Sequence, residues 1–162
     1  MKKYYFYTLI GLIFGVFDHW FQSNMNFNKF PEIAQIVMIF GVWILSAIPI
    51  VLTERKETNS IHKAALAVVY TWTVSLFFYY MGTYVIVVFI GKDTLPFMHI
   101  SNYQDEYYFQ NNLSELLVVF IATLEWVPIS VVGGYITGSI LYWIVDIFRF
   151  FTRKVFQDNK SF

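Results

Sequence analysis

The stretch from residue 33 to residue 52, IAQIVMIFGVWILSAIPIVL, is the clearest indication of the fold because it contains twenty residues and no charge. The hydrocarbon core of a bilayer is about 30 Å thick, and a helix needs roughly 20 apolar residues to cross it. Residues 64–90 and residues 126–145 meet the same requirement. These three segments predict transmembrane helices.

The composition of the whole chain agrees with a membrane location. Of its 162 residues, 57% are hydrophobic and only 14% are charged, whereas a soluble domain carries about 25% charged residues. Eleven basic and eleven acidic residues cancel, so the basic surplus needed to bind nucleic acid is missing. The chain has no cysteine, which excludes disulfides and cysteine-based chemistry. We therefore expect an integral membrane protein with the lipid bilayer as its surroundings, no nucleic-acid partner, no cofactor and no metal.

A fourth span is predicted at the N-terminus, where a basic start and an apolar run are followed by no signal-peptide cleavage site. The spans of this single membrane domain, residues 1–162, are then about residues 4–22, 33–52, 64–90 and 126–148.

Lysine and arginine accumulate on one side of this arrangement. Nine of the eleven basic residues lie at the N-terminus, in residues 53–63 or after residue 148. Cytoplasmic segments of membrane proteins carry an excess of Lys and Arg, so we expect both termini in the cytoplasm. The bias towards Phe, Tyr, Ile, Asn and Lys is what AT-rich codons supply, which favours a bacterial cytoplasmic membrane.

Charged residues at the ends of the spans have simple expected roles. The sequence Glu54-Arg55-Lys56-Glu57 is expected to be a solvated connection whose basic groups meet anionic lipid head groups. Asp146 lies three residues before Arg149, so an ion pair within one helix is expected there.

The segment before the last span predicts an additional helix. Residues 113–124 are apolar apart from Glu115, which forms a plausible capping pair with Asn112. Pro128 suits the first turn of a helix. We therefore predict a short interfacial or re-entrant helix over residues 113–125 on the outer side. The fold class is an all-α polytopic membrane helix bundle of four transmembrane helices plus this short helix. The alternative is one long helix kinked at Pro128.

Two glycine pairs predict close helix contacts. Gly11 and Gly15 form a GxxxG motif in the first span, and Gly134 and Gly138 form another in the last. Glycine lets helix backbones approach closely in lipid. The first and last spans are expected to pack on each other and close the bundle, or else the motifs join two copies in a homo-oligomer.

Four polar residues form a candidate site on the outer side: Asp18, His19, His99 and Glu125. A carboxylate within a membrane is costly and usually has a partner or a role. Asp18 lies on the helix face of the first glycine pair, and Glu125 precedes the helix break at Pro128, as acidic groups do in transporter ion sites. In the alternative, Asp18 and His19 reach into the outer interface and Glu125 is simply solvated.

Three classes of function remain open. The chain lacks HExxH, GxSxG and a glycine-rich phosphate loop, so an enzyme is not favoured. The first hypothesis is a non-enzymatic accessory or immunity-type subunit bound to a larger membrane protein. The second is a small oligomeric transporter or channel that uses Asp18, His19 and Glu125 for proton or cation coupling. The third is an intramembrane hydrolase or lipid-modifying enzyme.

Overall fold

The computed structural model describes residues 2–24, 29–85 and 112–158, and these parts are almost entirely helical. The helices are α1 (Lys2–Asn24), α2 (Glu32–Glu57), α3 (Ile61–Val85) and α4 (Asn112–Asp158). Within the described residues, three segments are long and apolar enough to cross a membrane: Glu32–Glu57, Ile61–Val85 and Leu116–Arg149. The predicted all-helical fold is confirmed, and three of its helices are compatible with membrane spans. α1 is not among the three, because its tyrosines and the Asp18-His19 pair lower its mean hydropathy.

Helix α3 lies at the centre of the bundle. It contacts the other three helices, most extensively α4 and then α1. It buries eleven of its own residues, whereas α2 buries five. One apolar cluster surrounds Val68 and Trp72, and a second surrounds Leu76 and Tyr79. Because α3 contributes to both clusters, the packing of the other helices is organised around it.

Glycines allow α1 and α4 to approach α3 closely. A Cβ atom added to Gly11 would lie 2.7 Å from Cγ1 of Val74, and one added to Gly15 would lie 2.9 Å from Cβ of Phe78. On another face of α3, a Cβ added to Gly138 would lie 2.7 Å from Cα of Ala65. Both glycine pairs therefore lie against α3, rather than joining the first and last helices as expected.

The connection between α2 and α3 is only three residues long, Thr58–Ser60. The backbone N–H of Thr58 donates to the carbonyl of Glu54 over 2.8 Å, and Asn59 adopts a left-handed φ of 48°. Asn enters this region more readily than most residues, so the chain reverses direction at once. α2 therefore continues to Glu57, and the segment expected to be a solvated connection is the last turn of a helix.

Glu54 joins the beginning of α1 to the end of α2. Its side chain is buried, and its carboxylate accepts hydrogen bonds from Nζ of Lys3 at 2.7 Å and from the hydroxyl of Tyr7 at 2.9 Å. The hydrogen bond to Glu54 raises the pKa of the Lys3 ammonium above its ordinary value. The expected solvated position of Glu54 is therefore wrong, because partners on α1 compensate its carboxylate for the loss of water.

Arg55 joins α2 to α4 at the same end of the bundle. Its guanidinium pairs with Asp146 and donates to Oδ1 of Asn59 at 2.8 Å. It also lies over the ring of Tyr142, 4.6 Å from the centroid. Asp146, for which a partner on its own helix was expected, thus has an ion-pair partner on another helix. We call this end of the bundle, which contains Lys3, Glu54, Arg55 and Asp146, the Lys3 end.

Helix α4 continues through Pro128. The separate short helix predicted over residues 113–125 is therefore not observed as a distinct element, and the alternative of one long helix describes this region. Pro128 leaves the carbonyl of Leu124 without its usual helical donor. Residues on both sides of the proline nevertheless pack on α3, Val119 and Ala122 before it and Gly134 and Gly138 after it. We infer that the packing of α4 on α3 on both sides of Pro128 compensates for the helical hydrogen bond that is lost at Leu124.

We expect the substitution Gly138→Ala to destabilise the protein by about 1–3 kcal/mol, the usual effect of overpacking a tight contact. The matched control is Gly41→Ala, because a Cβ at Gly41 meets no atom within 4 Å. Denaturant unfolding in detergent measures both variants. Equal stability of the two variants would contradict the close contact between α4 and α3.

We expect Glu54→Gln to lower the free energy of unfolding by about 1.5–3 kcal/mol, because the buried side chain of Glu54 loses its charged hydrogen bonds to Lys3 and Tyr7. Glu57→Gln is the control, because Glu57 lies 3.6 Å from the same Lys3 ammonium but its side chain is 49% exposed. That variant should lose less than about 1 kcal/mol. The same unfolding measurement compares them, and a larger effect at Glu57 would refute the assignment of Glu54 as the buried link.

Candidate functional site

The side chain of Asp18 is buried inside the bundle and only 3% exposed. It follows Lys3 by fifteen residues, which places it about 22 Å along α1 from the Lys3 end. Its Oδ1 accepts a hydrogen bond from Nε2 of Gln22 at 3.0 Å, and its Oδ2 accepts one from Nε1 of Trp43 at 3.0 Å. Both carboxylate oxygens therefore have a donor, one on the same helix and one on α2. In the alternative from the sequence, Asp18 reaches out to the outer membrane interface. The structure instead places its side chain inside the bundle.

A cavity of about 70 Å³ lies beside Asp18. Its walls come from all four helices, and its polar lining residues include Asp18, Gln22 and Ser130. The remainder of the lining is aromatic or aliphatic: Ile39, Phe40, Trp43, Trp72, Leu76, Tyr79, Trp126 and Ile129. A water molecule needs roughly 10–15 Å³ of such space, so the cavity accommodates several water molecules or one small ligand group.

Trp43, the donor to Asp18, is held in place by the perpendicular indole ring of Trp72. The rings of Trp43 and Trp72 meet edge to face, with centroids 5.3 Å apart. Nε1 of Trp72 donates to the hydroxyl of Ser46 at 3.2 Å, and that hydroxyl donates to the carbonyl of Trp43 at 2.7 Å. α3 therefore holds the residue of α2 whose indole N–H binds Asp18.

His19 lies in the contact between α1 and α3, beside the cavity. It is buried, and its Nδ1 lies 3.1 Å from the hydroxyl of Thr83. Its ring contacts the ring of Tyr79 edge to face at 5.3 Å. Tyr79 also lines the cavity, and its hydroxyl lies 3.5 Å from Oε1 of Gln22. Tyr79 therefore contacts both His19 and the surroundings of Asp18.

The structure does not bring the other two candidates into this site. Glu125 is exposed and does not line the cavity, although its neighbour Trp126 does. His99 lies outside the described residues. The residues that complete the site around Asp18 are instead Gln22, Trp43 and Tyr79. Of these, only Gln22 had a sequence signal, because it lies four residues after Asp18 and so on the same helix face.

The chemistry available to the site is that of one carboxylate with aromatic walls. Among the residues that the structure describes, no three His, Asp or Glu side chains are grouped to hold a metal ion. Comparisons of the chain with protein-family models, with curated proteins and with solved structures find no match. The arrangement can hold a proton or one positive charge beside Asp18.

We expect Trp43→Phe to lower the free energy of unfolding by about 1.5–3 kcal/mol, because it removes a hydrogen bond to a charged group. Trp143→Phe is the matched control, since Trp143 is 59% exposed on the outer surface of α4. The control should change stability by less than about 0.5 kcal/mol. Unfolding followed by circular dichroism in detergent compares them. Equal stability of the two variants would show that the bond from Trp43 to Asp18 contributes nothing.

Proposed function

We propose that the protein is a small multi-pass membrane protein that binds and moves a proton or another cation at Asp18. The supporting observation is that a buried carboxylate lines a cavity whose walls come from all four helices. Ionisable residues within membrane segments are rare and commonly mark ion or substrate pathways. Of the three hypotheses from the sequence, the transporter or channel is the one that this observation favours.

In this proposal, Asp18 takes up one positive charge from one side of the membrane and releases it on the other. The donors Gln22 and Trp43 hold the carboxylate beside the cavity, so a bound cation and a proton compete for the same two oxygens. A bound cation therefore slows proton movement, and a bound proton slows movement of the cation. Glu125 is exposed and plays no part in this step. His19 contacts Tyr79, which lines the cavity, and serves as a positioning residue.

The membrane arrangement is also a proposal. α1 contains 23 residues, which is about 34 Å of helix and long enough for a fourth span. Its beginning lies beside the end of α2, since Lys3 binds Glu54. We assign the Lys3 end to the cytoplasmic side of a bacterial membrane, because segments rich in Lys and Arg stay inside. Both termini are then cytoplasmic.

A second candidate is the accessory or immunity-type subunit. The exposed face of α2 favours it, with large apolar residues that include Ile33, Val37 and Leu45. This face lies against lipid in an isolated protein and against a neighbouring helix in a larger assembly. Native mass spectrometry from mild detergent distinguishes the two, because a foreign subunit supports the accessory role and a homo-oligomer supports the transporter.

We expect Asp18→Asn to abolish proton flux through the reconstituted protein. Proteoliposomes that contain a pH-sensitive dye are placed under a potassium diffusion potential, and the initial rate of internal acidification is measured. The variant should acidify at the rate of protein-free liposomes, because the amide cannot take up the proton.

Glu125→Gln is the control for this experiment, since it also neutralises a carboxylate but one outside the cavity. It should keep the wild-type rate. Wild-type vesicles that acidify no faster than empty ones would refute proton movement. Loss of flux in Glu125→Gln alone would place the site elsewhere.

A further inference from the structure

We infer that the Asp18 cavity binds the ammonium group of a lipophilic amine, which reaches the cavity from the bilayer. This inference rests on the proposed function in one respect, namely that Asp18 is the carboxylate that binds the cation. It goes further by naming the chemical class of the ligand and its route of entry.

The aromatic walls suit an organic cation. A cation over the face of an indole or phenol ring is attracted by the negative charge of that face, and the effect grows when water is excluded. Trp43 and Trp72 present ring planes at 87° to each other, and Tyr79 and Trp126 also line the cavity. The cavity therefore combines one carboxylate with aromatic surfaces in several directions.

The same lining is poorly suited to an inorganic cation. Hard cations bind several oxygen ligands in place of their water shell. Few oxygen-bearing side chains line the cavity, and both carboxylate oxygens of Asp18 already accept hydrogen bonds from Gln22 and Trp43. An inorganic cation would lose water here and gain few ligands. An alkylated ammonium group needs no such ligand shell, because it carries methyl or methylene groups that contact aromatic rings favourably.

The entrance faces the apolar surroundings of the bundle, between α2 and α4. Phe40 of α2 and Ile129 of α4 both line the cavity, and they are 49% and 51% exposed on the outside of the bundle. Phe40 lies within the uncharged stretch of α2, so the entrance opens at the depth of the acyl chains in the proposed membrane arrangement. A cavity of about 70 Å³ accommodates the ammonium group, while an attached apolar tail extends through the entrance into lipid.

Equilibrium dialysis of the purified protein in maltoside detergent tests this inference with benzyltrimethylammonium as the probe. We expect saturable binding that the uncharged isostere neopentylbenzene does not displace. Asp18→Asn should weaken binding about tenfold or more, which corresponds to about 1.4 kcal/mol. Glu125→Gln should bind like the wild type. No saturable binding, equal binding by Asp18→Asn, or displacement by neopentylbenzene would overturn the inference.

A second variant tests the entrance without touching Asp18. Ile129→Trp narrows the opening from an exposed position and should weaken binding of the probe about tenfold. Ile136→Trp is the matched control, because Ile136 is 52% exposed on the same helix but does not line the cavity. It should bind like the wild type. Equal binding by both variants would overturn entry between α2 and α4.

The ammonium group that binds in the cavity belongs either to a free amine or to the head group of a lipid. Displacement of the probe by phosphatidylcholine, but not by phosphatidylglycerol, would assign the site to a lipid head group. Displacement by free benzylamine alone would assign it to free lipophilic amines, and either result supports the inferred class. Because dialysis requires no flux, binding without proton movement would refute only the transport proposal. Proton movement without binding would refute only this inference.

Discussion

The burial of the Asp18 carboxylate is the constraint that organises the interior of this protein. An ionised carboxylate removed from water loses several kcal/mol of hydration and needs donors on both oxygens. One donor, Gln22, comes from α1 itself, and the other, Trp43, comes from α2. α2 must therefore lie against α1 at this depth, and α3 must hold Trp43 through its contact with Trp72. The cavity is the space that remains when these aromatic side chains surround one small carboxylate.

Close packing and polar contacts hold the helices around this centre. In lipid, burial of apolar surface gives little drive for helices to associate, so close approach and hydrogen bonds matter more. The glycine pairs bring α1 and α4 onto two faces of α3. At the Lys3 end, Glu54 ties α2 to α1 and Arg55 ties it to α4. The bundle is thus fixed at one end, and the entrance that we infer for the cavity lies between α2 and α4, where the lining residues Phe40 and Ile129 are exposed.

The sequence predicts where the helices lie in the chain, but not which helices pack against each other. Uncharged length alone indicates α2, α3 and the last part of α4, because a bilayer demands a fixed number of apolar residues. The glycine spacing predicts close contacts, but a helical period does not name the partner helix. Pro128 indicates a break, yet packing on α3 on both sides of it keeps α4 continuous. Glu54 is charged and lies near the end of a span, so the sequence predicts that it is exposed. Its burial becomes clear only from the structure, where Lys3 of another helix binds it. For the site, Asp18 was recognisable from its cost in lipid, whereas nothing in the sequence connects it to Trp43.

The accessibility of Asp18 to carbodiimides shows whether this carboxylate is buried beside an opening that faces lipid. The protein in liposomes is treated at mildly acidic pH with either dicyclohexylcarbodiimide, which dissolves in the membrane, or a water-soluble carbodiimide, and modified peptides are identified by mass spectrometry. We expect the membrane-soluble reagent to modify Asp18, and the water-soluble reagent to modify the exposed Glu57 but not Asp18. Modification of Asp18 by the water-soluble reagent as fast as Glu57 would show that this carboxylate is open to water and not buried.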